Sequence, residues 1–122
     1  MHVLVMGSGG LGGYFGGMLA HTGHDVTFVA RGAHLAAMRE RGLEVRTDEE
    51  TYRFSSVNAV GAPEETTGDF DLILFTVKGY DAETAATALR PVIGPETAVL
   101  TVLNGVDSAE QLAAILGPEH VL

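Results

Sequence analysis

The segment Gly7-Ser8-Gly9-Gly10-Leu11-Gly12 follows directly on the apolar run His2-Val3-Leu4-Val5-Met6. It opens a stretch of Gly, Ala and large apolar residues that reaches His21. A strand, a tight glycine turn and a helix in immediate succession constrain a chain strongly. Gly7 permits the turn, Gly9 lets the backbone approach an anionic group, and Gly12 lets the helix lie close to the strand. The first N–H groups of such a helix have no partner within it, and its positive dipole end suits a pyrophosphate. Gly7, Ser8, Gly9, Gly10, Leu11 and Gly12 are therefore candidate cofactor contacts. Gly13, Gly16 and Gly17 would each cost a helix about 1 kcal/mol relative to Ala. Close packing against a sheet or a cofactor would offset that cost.

The rest of the chain alternates β-rich apolar runs with helical patterns. Residues 25–30 read as a second strand and residues 33–41 as a short helix ended by Gly42. Residues 43–47 and 51–55 alternate in polarity around Asp48-Glu49-Glu50, which predicts an exposed hairpin. A short strand is expected at 57–60 and a polar loop at 63–68. Residues 71–77 (DLILFTV) form a continuous apolar run, as in a buried parallel strand. Residues 81–89 read as a helix, punctuated by Pro91 and Pro95, and residues 97–103 as another buried strand. A helix is expected over 108–116, with Ser108 as N-cap and Gln111 at the capping-box position. Residues 119–122 begin a further strand. Repeated strand–helix–strand units imply an α/β fold of the Rossmann type, a doubly wound and mainly parallel sheet with helices on both faces.

At 122 residues the chain is one domain at most. Because it stops inside what reads as a strand, it is expected to be a fragment of something longer. There are no cysteines, so neither disulfides nor thiolate metal sites are available, in keeping with a cytoplasmic location. No signal peptide and no membrane-spanning run is visible. A net charge of −9 argues against a nucleic-acid partner. The histidines at 2, 21, 24, 34 and 120 are isolated or sit at a helix end. No Ser-His-Asp or metal-ligating constellation is evident, and Asp48-Glu49-Glu50 reads as a solvated turn.

In an open parallel sheet, ligands bind outside the carboxyl ends of the strands. Four features fall there: the glycine turn, Arg31, Lys78 and Asn104. Arg31 lies 24 residues after Gly7, between Ala30 and Gly32. That is where an acid would bind a ribose 2′-hydroxyl, and a guanidinium there instead favours a 2′-phosphate and hence NADP. Lys78 is the single lysine among seven basic residues. Its compact charge suits a ribose hydroxyl, a carboxylate or a carbonyl oxygen. Asn104 precedes Gly105, a turn signal in itself, but its amide can both donate and accept near a nicotinamide or substrate.

GSGGLG at the start, GHDVTFVAR ending in Arg31, DLILFTVK ending in Lys78, and LRPVIGPETAVLTVLNG with the helix after it together resemble the N-terminal domain of the ketopantoate reductases. The resemblance covers essentially the whole chain. It implies that residues 1–122 are an NADP-binding domain and that a helical catalytic and substrate-binding domain is missing. It implies NADPH-dependent reduction of 2-dehydropantoate (ketopantoate) to pantoate, on the route to pantothenate and coenzyme A. Residues 7–12 would bind the pyrophosphate, Arg31 the 2′-phosphate, Lys78 the cofactor near its reactive end, and Asn104 both cofactor and substrate. The catalytic proton donor would not lie in this chain, and a homodimer, if one forms, would be built through the missing domain. Asp107 stands where many members have Gly, which leaves other 2-oxo acids open as substrates. Two alternatives are another NADP-dependent 2-oxo acid or hydroxyacyl dehydrogenase, and a dinucleotide-sensing domain without chemistry.

Overall fold

The computed structural model describes residues 1–7, 10–66, 69–77, 82–101 and 106–122, without the side chains of residues 106–108. Its strands and helices follow in the order β1 (His2–Met6), α1 (Gly10–His21), β2 (Asp25–Val29), α2 (Gly32–Arg41), β3 (Leu43–Arg46), β4 (Thr51–Phe54), β5 (Asn58–Val60), β6 (Leu72–Phe75), α3 (Ala82–Ala88), β7 (Ala98–Thr101) and α4 (Val106–Leu116). Five strands form a parallel sheet in the order β5-β2-β1-β6-β7. The first half of the chain builds outward from β1 to β5, and the second half restarts on the other side of β1. The sheet is therefore doubly wound, with its topological switch between β1 and β6. Val121 pairs in parallel with Val99, so a sixth position is begun beside β7.

Period-two alternation sorts the strand residues onto two faces. Leu4 and Met6 of β1 join Ile73, Phe75 and Val99 against Ala85, Ala86 and Leu89 of the α3 region and Leu112 of α4. Val3 and Val5 point the other way, with Val26, Phe28 and Leu74, against Met38 of α2 and Leu19 of α1. Val3, Leu4 and Val5 are all fully buried. That is the two-sided burial which makes a parallel strand read as an unbroken apolar run. Each such side chain contributes about 1.5–3 kcal/mol relative to exposure.

The expected strands and helices are present with shifted ends, except that residues 119–122 carry a single bridge at Val121; residues 67, 68, 81, 102 and 103 of the expected elements lie outside the described residues. The polar loop expected at 63–68 contains a short 3-10 turn, Pro63–Glu65, whose proline is buried. Helix α4 starts at Val106, two residues before the expected start. Ser108 therefore lies inside its first turn instead of at the cap. The expected β3–β4 hairpin forms, with Arg46 opposite Thr51 and Leu43 opposite Phe54, so the turn spans 47–50 instead of 48–50, and it is not simply exposed. Val45 is only 5% exposed because the inner face of β3 packs on α1.

Candidate functional site

The strand registers bring the carboxyl ends into line. Met6 pairs with Val29 on one side and Phe75 on the other, Val29 pairs with Val60, and Phe75 with Thr101. Gly7 and Ala30, each one residue past its strand, therefore lie at one edge of the sheet, and Arg31 follows directly. Lys78 and Asn104 lie outside the described residues, as do Ser8 and Gly9. The strands that run toward Lys78 and Asn104, β6 and β7, end level with β1.

The glycines of the turn are required by shape. Gly7 has φ +95°, a left-handed conformation that favours glycine. A Cβ on Gly12 would collide with the Gly7 carbonyl oxygen and lie 2.7 Å from Thr76 Oγ1. Further along α1, a Cβ on Gly16 would sit 2.5 Å from the Phe28 ring and 2.8 Å from Val5. On Gly17 it would meet Val45 at 2.5 Å. So α1 is seated against the sheet by Gly12 and Gly16, and against the hairpin by Gly17. This close packing compensates for three glycines in a helix interior. Gly10 is different, since a Cβ there meets nothing within 4 Å. Leu11 is 50% exposed at the start of the helix.

Thr76 is a site residue that sequence reasoning missed. Its N–H donates to the Met6 carbonyl at 3.0 Å, its Oγ1 also reaches that carbonyl at 3.0 Å, and Oγ1 approaches the Gly7 carbonyl as well. These bonds span the switch between β1 and β6 and hold the first residue of the turn. The one available signal was a hydroxyl residue at the end of the DLILFTV run.

Arg31 is exposed and holds the N-cap position of α2 with an extended backbone, φ −132° and ψ 156°. Its side chain makes no capping bond, and the first turn of α2 contains no acid. Just before it, Ala30 N–H donates to the Val60 carbonyl at 3.0 Å, which fixes the strand end that carries it. The edge of the sheet thus brings together the left-handed turn residue Gly7, the start of α1, and Arg31 one strand away. Those features fit a dinucleotide, with its pyrophosphate on the glycine turn and its adenosine end toward Arg31.

Beside this edge, the hairpin carries a small charge network. Arg46 Nε lies 2.6 Å from Glu44 Oε1 and Arg53 Nε 3.2 Å from Glu44 Oε2. The hydrogen bond from Arg46, with the charges of both guanidinium groups, holds the Glu44 carboxyl below its ordinary range. A hydrogen bond to Glu50 raises the Tyr52 phenol above its ordinary value. Among the described residues, no group of three or more His, Asp or Glu could hold a metal ion. No helix among them is long and apolar enough to cross a membrane.

A doubly wound parallel sheet, with a glycine turn after its central strand and a helix seated closely behind, defines a Rossmann-type domain. Residues 3–122 match the family described as ketopantoate reductase PanE/ApbA. The chain belongs to that family. It is 34% identical over 122 residues to the uncharacterized oxidoreductase YkpB of Bacillus subtilis, covering all of this chain and 39% of YkpB. It is 37% identical over 124 residues to the 2-dehydropantoate 2-reductase of Halobacterium salinarum, covering all of this chain and 40% of that enzyme. The crystal structure of 2-dehydropantoate 2-reductase from Geobacter metallireducens superposes with a TM-score of 0.91 at 31% identity, over 99% of this chain and 40% of that one. The chain thus spans about two fifths of the length of these relatives.

Proposed function

We propose that this chain is the NADPH-binding domain of a reductase that converts 2-dehydropantoate to pantoate, a step toward pantothenate and coenzyme A. Family membership supports the reaction class, and the relatives named 2-dehydropantoate 2-reductase support the substrate. The observation that carries the cofactor reading is Arg31, held at the end of β2 next to the glycine turn, in the sequence position where an acid would bind the ribose 2′-hydroxyl. When bound, the reduced nicotinamide supplies the hydride for the ketone carbon. Residues of this chain bind and orient it. Gly7, Gly10, Leu11 and Gly12, with Ser8 and Gly9 between them, receive the pyrophosphate, and Arg31 receives the 2′-phosphate. Lys78 and Asn104 serve the reactive end, with Asn104 also touching substrate. The general acid that protonates the new alkoxide belongs to the remaining part of the longer relatives.

Arg31→Ala is expected to weaken NADPH binding by ~10-fold or more, the loss of one charge-assisted hydrogen-bonding group, with little effect on NADH. Titration of both cofactors by nicotinamide fluorescence measures this. Equal losses for the two would remove Arg31 from 2′-phosphate recognition. A second reading keeps the cofactor and changes the substrate to another 2-oxo acid. The 34% identity to an oxidoreductase described as uncharacterized favours keeping it open, as does Asp107 after the Asn-Gly pair.

A further inference from the structure

Between α1, the start of α2 and β3 lies a cavity of about 270 Å³, lined by Gly10, Gly13 and Tyr14 of α1, by His34 of α2, and by residues of β3 that include Glu44 and Arg46. The glycines of α1 account for it. At Gly17 the hairpin closes on the helix, with Val45 only 2.5 Å from where a Cβ would stand. At Gly10, two turns earlier on the same face, the space is open. The cavity therefore borders the helix end that carries the glycine turn.

Its polar wall is mixed: Glu44 and Arg46 pair with each other there, and Arg53, the second partner of Glu44, stands outside the lining. From α1 the remaining titratable group is Tyr14, and from α2 it is His34. His34 is exposed and lies three residues after Arg31, in a first turn without an acid. That spacing sets the two residues on the same side of α2. A phosphate monoester carries about −1.5 to −2 charge near neutral pH and presents three strong acceptor oxygens. One guanidinium fork satisfies two of them at most.

We propose that His34 is a second determinant of cofactor choice, binding together with Arg31 the 2′-phosphate of the dinucleotide from the wall of this cavity. The inference rests on the reading of Arg31 given above. The imidazole donates to a phosphate oxygen beyond the reach of the Arg31 fork, from the α2 side of the cavity. His34 thus raises the preference for a phosphorylated ribose without contributing to the pyrophosphate site.

Adenosine 2′,5′-bisphosphate and 5′-AMP isolate this contact, because they differ only in the 2′-phosphate. Calorimetric titration of the 122-residue chain with each, for wild type, His34→Gln, His34→Arg and Arg31→Ala, tests the proposal. His34→Gln is expected to weaken the bisphosphate by roughly 3- to 10-fold and 5′-AMP by less than about 2-fold. His34→Arg should keep or raise the preference. If His34→Gln weakens both probes alike, or neither, while Arg31→Ala abolishes the preference, the inference fails and the reading of Arg31 stands. If Arg31→Ala leaves the preference intact, or the wild-type chain has none, the reading of Arg31 fails and this inference falls with it.

Discussion

Thr76 joins the two central strands at the point where both give way to loops. Its backbone N–H and its hydroxyl both serve the Met6 carbonyl, and the hydroxyl also approaches the Gly7 carbonyl. Thr76→Val keeps the shape and removes the hydroxyl. Met6 retains the N–H bond, while the Gly7 carbonyl loses the hydroxyl beside it. The expected cost is about 1–2 kcal/mol of stability, read as a lower thermal midpoint, together with weaker NADPH binding as the turn loosens. An unchanged midpoint and unchanged affinity would show that the turn holds itself. At this scale the sequence was uneven. Gly7 and Gly12 were legible because conformational demand singles them out, and spacing placed Arg31 at the same sheet edge. Thr76 was not, since a threonine in an apolar run reads as an ordinary strand former. His34 read as an isolated histidine because its cavity exists only once the hairpin folds over α1.

Alternating polarity gave the hairpin, but not its register or which face it buries. That face is set by Gly17, which lets Val45 come close, and by Gly42, whose φ of +78° reverses the chain at the end of α2. Strand ends were overread for a related reason. Residues 76 and 77 continue the apolar run of β6, yet the strand stops at Phe75 and Thr76 turns to β1. Along the hairpin, Glu44 bridges Arg46 and Arg53, and its carboxyl is held below the ordinary range. A lowered carboxylate pKa contributes stability above the unfolded value, about 4.3 for Glu, and loses it as pH falls through the folded value. The pair is solvent-exposed, so the contribution is small and screened by salt. Thermal midpoints of wild type and Glu44→Gln should therefore differ most near neutral pH in low salt. The gap should close as the pH drops below the ordinary Glu range. A gap that widens on acidification would mean that the bridges to Arg46 and Arg53 do not stabilise the hairpin.

At the scale of the whole molecule, the order β5-β2-β1-β6-β7 puts residues far apart in sequence on one edge. The repeated strand–helix–strand pattern implied a doubly wound, mainly parallel sheet; the order of its strands is read from the fold. The sheet edge holds two kinds of group. The glycine turn and Arg31 are suited to binding an anion. Neither is a general acid for a developing alkoxide, since one is backbone and the other a guanidinium, a group suited to holding an anion. The relatives extend well beyond the two fifths that this chain matches. Binding and turnover should therefore separate. The 122-residue chain is expected to bind NADPH while failing to oxidise it when ketopantoate is added. Fluorescence titration checks the first half and loss of absorbance at the reduced-nicotinamide band checks the second. Oxidation of NADPH dependent on ketopantoate would place a competent proton donor within this chain. The amine of Lys78 would then be the first group to test, by Lys78→Met, because it is the basic side chain that follows the strand beside the glycine turn and carries a proton it can give up.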